Sequence, residues 1–143
     1  MKYKKRNGFT LFELLVSISI IAILTALASV SFSSAQKKAR DSRRMQDMNS
    51  IQKAAEMYYS LNSASYPITH NTGAKWEVGT QTVLENFPKD PKSSGSYLYD
   101  CTTQSADGYC CCAKMENTTA GNSTSPDCSF APDTGYFCVK NQQ

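Results

Sequence analysis

The fold is decided by the hexapeptide GFTLFE, residues 8–13, which joins a basic leader to a long apolar run. The leader, residues 1–8, contains four basic residues and no acidic residue. Residues 14–32 contain no charged side chain, so Glu13 is the only ionisable group between Phe9 and Phe32. A carboxylate inside a membrane-length apolar segment is costly and rare without a function. Glu13 is therefore the first candidate functional residue.

A single helix is predicted from Phe9 to about Asn62. No proline occurs before Pro67 and no glycine between Gly8 and Gly73, and such a helix is about 80 Å long at ~1.5 Å per residue. Its first half is apolar nearly all round and long enough to span a bilayer of about 30 Å. Its second half is amphipathic and should pack on a globular head through an apolar face formed by Met48, Ile51, Ala55 and Tyr58, flanked by Met45 and Leu61.

The N-terminus resembles that of the type IV pilin and type II secretion pseudopilin superfamily. The resemblance lies in the basic leader, the Gly8–Phe9 junction, Thr10 and Leu11, Glu13 and the apolar run. It implies cleavage after Gly8 by a prepilin peptidase on the cytoplasmic face and N-methylation of Phe9 by the same peptidase/methyltransferase system. It also implies that an inner-membrane assembly platform stacks the mature subunits into a helical filament.

Cleavage at this junction would give Glu13 a specific role in assembly. Cleavage creates a new ammonium group at Phe9, one helical turn from Glu13 on the same face. Buried charges persist in apolar surroundings only when they are paired. We expect Glu13 to compensate the Phe9 ammonium of a neighbouring subunit and so to set the axial register of assembly. The alternative is a carboxylate that snorkels to a membrane interface.

The chain is predicted to divide into three parts: a removed leader at 1–8, a transmembrane and assembly helix at 9–35, and a head at 36–143 that includes the helix to about residue 62. The resemblance implies a homo-oligomeric filament that also contains other pilins or pseudopilins, with membrane lipid as the partner before assembly. The precursor would cross the cytoplasmic (inner) membrane once with its C-terminus outside. The filament would be periplasmic or extracellular.

All six cysteines lie in the last third of the chain, which predicts a disulfide framework and an oxidising, extracytoplasmic compartment. They are Cys101, Cys110, Cys111, Cys112, Cys128 and Cys138. Bridges within the consecutive triplet demand unfavourable geometry, and without them six of the fifteen complete pairings remain. A zinc site is disfavoured, because no CxxC spacing occurs and the only histidine, His70, is far away in sequence.

Charge argues against a nucleic-acid partner. The net charge is +3 and the leader alone contributes +4, which leaves −1 for residues 9–143, while residues 95–143 sum to −3. A basic cluster follows the apolar run, and we interpret it by default as a solvated helix face, with a phosphate-facing or subunit-facing surface as alternatives. Its members are Lys37, Lys38, Arg40, Arg43 and Arg44.

The head is predicted to be α+β and pilin-like, with the amphipathic half of the long helix against a small antiparallel sheet and a disulfide-stapled C-terminal loop region. Three strands are expected, at 96–100, 109–115 and 135–140, with one polar loop at 116–132 between the last two.

The segment between the helix and the sheet is expected to carry one or two helical turns at 82–86 and a packing anchor at Trp76. The stretch FPKDP at 87–91 resembles the Pro-Lys-Asp-Pro stretch that precedes the sheet in major pseudopilins. It lacks the Trp-Gly that usually follows there.

No catalytic constellation is present, so no enzyme, cofactor or metal is predicted. Major pseudopilins bind calcium in a comparable C-terminal region, but Asp127 and Asp133 are two carboxylates against the 6–8 oxygens that calcium prefers, and we expect them to be solvated. Asn117 and Asn122 each begin an N-glycosylation pattern, which polar loops often match by chance.

Three other functions remain open. A secreted, disulfide-rich binding module would follow a conventional signal peptide cut at the small residues near 26–28 or 33–35. A signal-anchored protein would retain its leader. An adhesive or DNA-uptake minor pilin would share the same N-terminus with the secretion pseudopilin.

Overall fold

The computed structural model describes residues 8–67, 70, 72–92, 94–105 and 108–142, with backbone alone for 102–105. It contains one helix and seven strands within these ranges: α1 (Leu11–Leu61), β1 (Trp76–Val78), β2 (Gln81–Leu84), β3 (Asp100–Ser105), β4 (Gly108–Lys114), β5 (Gly121–Ser123), β6 (Phe130–Thr134) and β7 (Tyr136–Lys140). The chain separates into two compact units, Met1–Gln36 and Lys37–Gln143. The α+β, pilin-like prediction of one long N-terminal helix, small antiparallel sheets and C-terminal disulfides is confirmed.

Helix α1 runs for 51 residues without interruption, within two residues of the predicted bounds. It ends where Ser63 and Ala64 take positive φ values of 50° and 60°, and the Ala64 N–H closes the last turn by donating to the Tyr59 carbonyl at 3.2 Å. Pro67 follows and has no N–H with which to continue the helix.

The predicted apolar face of α1 forms part of the head's core. Met48, Ile51 and Ala55 are buried, and the Tyr58 ring lies edge-on to the Trp76 ring with centroids 6.4 Å apart. Trp76 is itself buried, so its predicted role as a packing anchor is confirmed. The residues of this core that come from outside α1 are Tyr66, Trp76, Phe87, Cys101, Tyr109, Cys111, Ala113 and Val139.

The main sheet has five antiparallel strands in the order β3-β4-β7-β5-β6. Strands β4 and β7 coincide with the predicted strands at 109–115 and 135–140 to within one residue. Cys112 of β4 lies directly opposite Cys138 of β7. The residues of β4 are buried from Tyr109 to Ala113, so this strand is covered on both faces.

The prediction of a strand at 96–100 is wrong, because β3 begins only at Asp100. Residues 94–97 form a turn instead, in which the Tyr97 N–H donates to the Ser94 carbonyl at 3.3 Å and Gly95 takes a φ of +61°. The position of β3 is set by its pairing with β4, and a bridge between Cys101 and Cys111 reinforces that pairing.

Two further predictions are corrected. The helical turns expected at 82–86 are replaced by a β1–β2 hairpin, in which Val78 pairs with Gln81 across the two-residue turn Gly79-Thr80. Gly79 takes a φ of +61°, which suits a glycine in a tight hairpin turn. The single loop expected at 116–132 contains β5 and the beginning of β6, because this polar stretch pairs with itself and with β7.

Candidate functional site

The candidate site is the first part of α1, and its N-terminus is closed by a reciprocal capping box. Thr10 precedes the helix and its hydroxyl accepts the Glu13 N–H at 3.2 Å. In return, Glu13 Oε2 accepts the Thr10 N–H at 2.9 Å and the Thr10 hydroxyl at 2.7 Å. A threonine followed three residues later by a glutamate satisfies two otherwise unpaired helix N–H groups. Glu13 thus has a structural role within its own chain, beside the predicted intersubunit role.

The helix beyond this cap exposes an uninterrupted apolar surface. Every residue from 8 to 39 is exposed in the described chain, including Phe9 at 82% and Val30 at 74%. An 18-residue window of α1 is long and apolar enough to cross a membrane, and none of it is buried. Exposed apolar surface on this scale marks an interaction with lipid or with other protein.

The polar residues of this segment do not interrupt its apolar character. The hydroxyls of Ser17, Ser19, Thr25 and Ser29 each donate to the carbonyl four residues earlier, at 2.7–2.9 Å. Their polar atoms are therefore satisfied inside the helix, as an apolar environment requires. A shallow groove of about 390 Å³ lies between Phe9, Phe12, Glu13, Val16, Ser17 and Ile20.

The basic cluster is not a uniformly solvated face, so that default interpretation is wrong for two of its members. Arg44 is 0% exposed, and its guanidinium binds both oxygens of Asp90 at 2.6 and 3.0 Å. It also donates to Asp41 at 2.7 Å and Glu116 at 3.0 Å. Burial alone would lower the pKa of Arg44, but these hydrogen bonds raise it above its ordinary value. Lys37, Lys38 and Arg43 are exposed as expected.

Glu116 connects the two arginines. Arg40 binds its carboxylate through two hydrogen bonds of 2.6 and 2.8 Å, and the carboxylate also accepts the bond from Arg44. The hydrogen bond from Arg40 is the largest cause that lowers the pKa of Glu116, to about 2. Asp41 accepts the backbone N–H groups of Glu116 and Asn117 at 2.9 Å each. The network therefore fastens the segment after β4 onto α1.

Sequence analysis missed this network, although a signal for it was present. Positions 41, 44, 48, 51 and 55 follow the same helical spacing, so the apolar stripe, extended backwards, reaches Asp41 and Arg44. These two residues were not assigned to the buried face because they are charged. The partner Asp90 lies in the FPKDP stretch, and the structure places both Phe87 and Asp90 in the interior.

The six cysteines form three bridges, Cys101–Cys111, Cys110–Cys128 and Cys112–Cys138. This is one of the six pairings that avoid a bridge within the triplet. Alternation along β4 sends Cys111 to one face of the strand and its two neighbours to the other, so Cys111 packs in the main core and the other two bridges form a separate cluster.

The remaining predicted sites are the two aspartates considered for calcium and the two asparagines of the glycosylation patterns. Asp127 is exposed and accepts the Ser129 N–H at 3.0 Å, and Asp133 is exposed and takes a φ of 55°. Asn122 bonds the backbone of Cys138 through both its amide nitrogen and its oxygen, at 3.0 and 2.7 Å. Asn122 is half-buried, whereas Asn117 is exposed.

Comparison with known proteins agrees with the N-terminal geometry. Residues 3–29 match the family described as the prokaryotic N-terminal methylation motif. The type IV wide pilus major component PilA4 of Thermus thermophilus is 31% identical over 87% of this chain and 85% of that protein. No solved structure gives a significant match.

Other relatives are type II secretion system core proteins G. That of Escherichia coli is 33% identical over 61% of this chain and 67% of its own length, and that of Pectobacterium carotovorum is 34% identical over 60% and 56%. The methylation motif, the exposed apolar helix and a relative aligned along most of both chains together place this protein in the type IV pilin and type II secretion pseudopilin superfamily.

Proposed function

We propose that this protein is a structural subunit of a type IV pilus-like or pseudopilus filament, assembled through the apolar part of α1. The observation that carries the proposal is the exposed, charge-free surface that follows Glu13. A surface of this length needs lipid or sister helices around it. The chain acts as a substrate of processing activities and a building element, rather than as an enzyme.

Processing would occur at the junction Gly8–Phe9. Both residues are exposed and precede the capped helix, and the match to the N-terminal methylation motif spans them. A prepilin peptidase would cut after Gly8 and the new N-terminus of Phe9 would be methylated. The mature protein would then consist of the assembly helix, 9–35, and the head, 36–143.

Glu13 would act twice in this scheme. Both bonds from Thr10 reach the same carboxylate oxygen, Oε2, and Oε1 would accept the Phe9 ammonium of the next subunit. Charge-assisted hydrogen bonds of this kind are about twice as strong as neutral ones. A rigid, capped carboxylate would therefore set the register between subunits.

Before assembly, the apolar segment would lie in the cytoplasmic membrane with the disulfide-bridged head outside, and an assembly platform would transfer it into a periplasmic or extracellular filament. Lipid replaces sister helices in this state, because the segment is long enough for the hydrocarbon core.

The test is the intact mass and N-terminal sequence of the protein recovered from its native membrane. We expect a chain that begins at N-methylated Phe9. A start near Ser29 or Gln36 would establish the secreted module instead, and retention of Met1 would establish a signal anchor.

Between the two kinds of filament, we favour a pilus. The alignment with the pilus component spans most of both chains, whereas the two secretion relatives described above align over about 60% of this chain. Deletion of the gene should then abolish surface filaments while exoprotein secretion continues. Loss of secretion with filaments intact would assign the subunit to the pseudopilus.

A further inference from the structure

Two disulfides of the head lie against each other on one face of β4. Cys110 Sγ is 3.6 Å from Cys112 Sγ, although the two atoms belong to different bridges, to Cys128 and to Cys138. The sulfurs of Cys110, Cys112 and Cys128 all lie within 4.8 Å of one another. The separation of 3.6 Å is close to van der Waals contact, so a sulfur of one bridge already adjoins a sulfur of the other.

One of these four sulfurs belongs to a more accessible residue than the rest. Cys110, Cys112 and Cys138 are buried, at 3%, 1% and 2% exposure, whereas Cys128 is half-buried and lies in the polar segment between β5 and β6. Cys101 and Cys111, which form the third bridge, are buried in the main core. An external thiol therefore reaches Cys128 more easily than any other cysteine.

We propose that Cys110, Cys112, Cys128 and Cys138 form a thiol–disulfide exchange site that takes a small thiol or a dithiol oxidoreductase as its co-reactant, with Cys128 attacked first. The external thiolate bonds to Cys128 Sγ, the Cys110–Cys128 bond breaks, and its electron pair leaves on Cys110 as a thiolate. That thiolate then attacks the adjacent Cys112 Sγ. A Cys110–Cys112 bond forms, the Cys112–Cys138 bond breaks, and the thiolate is passed to Cys138.

The exchange changes which part of the head is tethered to β4. Attack at Cys128 removes the disulfide that ties the segment between β5 and β6 to β4. The second step removes the disulfide between β7 and β4, which remain paired through their backbones. The bridge Cys101–Cys111 is insulated from this chemistry, because Cys111 points to the opposite face of β4 from its two neighbours.

The test uses the full-length chain in detergent micelles. Cys128→Ser leaves one unbridged thiol, initially on Cys110. After incubation at mildly alkaline pH and alkylation, peptide mapping without reduction should find label on Cys110 and Cys138, together with a Cys110–Cys112 bridge. The larger share of the label should remain on Cys110, because a bridge between two members of the triplet has unfavourable geometry, and the share found on Cys138 measures the exchange. Label confined to Cys110 would overturn the proposal.

The matched control is Cys101→Ser, which leaves the thiol on Cys111. Label should stay on Cys111, and label that spreads over the other cysteines would show general scrambling and overturn the proposal. A second measurement tests the proposal if the Cys128→Ser variant does not fold. Wild-type protein treated with limiting glutathione should carry the mixed disulfide on Cys128, and a mixed disulfide divided evenly among the three bridges would contradict the assignment.

Discussion

At the scale of single residues, Glu13 and Arg44 are charged residues of one helix that lie in opposite environments. Glu13 is exposed and bonds to Thr10 in its own first turn. Arg44 is fully buried and reaches three carboxylates from three parts of the head. The charge of Arg44 is compensated inside the fold, whereas the compensation that we propose for Glu13 comes from a neighbouring subunit.

Arg44→Ala should destabilise the head by about 3–5 kcal/mol, because removing one partner of a buried ion network leaves uncompensated charges. Chemical denaturation of the full-length chain, followed by near-ultraviolet circular dichroism, measures the change. Arg43→Ala is the control, since Arg43 is exposed and surface substitutions usually lie within about 0.5 kcal/mol of the parent. Equal effects of both substitutions would contradict the structural role of Arg44.

Glu13→Gln should reduce filament assembly by at least about tenfold, because a neighbouring Phe9 ammonium would be buried without a counter-charge. Glutamine also completes a capping box, so the helix should be retained. Sedimented filament, normalised to processed subunit in the membrane, is the measurement. Ser17→Ala should assemble normally, because the Ser17 hydroxyl bonds within its own helix, to Glu13 and Leu14 carbonyls. Normal assembly of Glu13→Gln would refute the pairing.

At the scale of elements, the short strand β5 is the least expected part of the sheet, and it joins β6 to β7. Gly121 begins this strand with its Cα pressed against the backbone carbonyls of Thr134 and Tyr136, so a Cβ at this position has no room. Glycine is required here by close backbone approach and not by an unusual φ.

Gly121→Ala should therefore separate β5 from its neighbours and destabilise the head by about 1–3 kcal/mol or more, the usual range for overpacking. Amide hydrogen exchange should show loss of protection at β5 and β6. Gly135→Ala is the matched control, because nothing lies within 4 Å of a Cβ at Gly135. Retained protection in Gly121→Ala would show that β5 tolerates a side chain.

At the scale of the whole molecule, the network around Glu116 makes the stability of the head depend on pH. The pKa of Glu116 is lowered to about 2 from an ordinary value of 4.5, so the folded state binds this proton less readily than the unfolded state. Its contribution to stability is fully present above pH 4.5 and is lost as the pH falls through about 2.

Glu116→Gln should flatten this part of the pH profile, so that the difference in unfolding free energy between parent and variant shrinks as the pH falls from about 5 to 2. Denaturant midpoints at a series of pH values measure it. Glu85→Gln is the control, since Glu85 is largely exposed, and its profile should follow that of the parent. A parent-like slope for Glu116→Gln would exclude Glu116 as the titrating group.

Local sequence was sufficient for part of the candidate site. The capped start of α1 depends on a threonine and a glutamate three residues apart, and the apolar segment depends on composition over about twenty residues. Both are short-range properties. Residues 14–32 predicted the apolar segment directly, whereas the capping box was not predicted, although its signal lies within GFTLFE. The strand at 96–100 failed for the opposite reason, because alternation favoured it but pairing with β4 determined where β3 begins.

Periodicity and residue type along the chain specify the long helix, its apolar first half, the face that carries Met48 and Ile51, and the number of bridges. Tertiary contacts, by contrast, determine that Arg44 is buried, that its guanidinium binds Asp90 and Glu116, and that Cys110 is bridged to Cys128. These contacts depend on which distant segments the sheet brings to α1 and to β4, and charge or residue type at one position does not specify a partner 18 to 72 residues away.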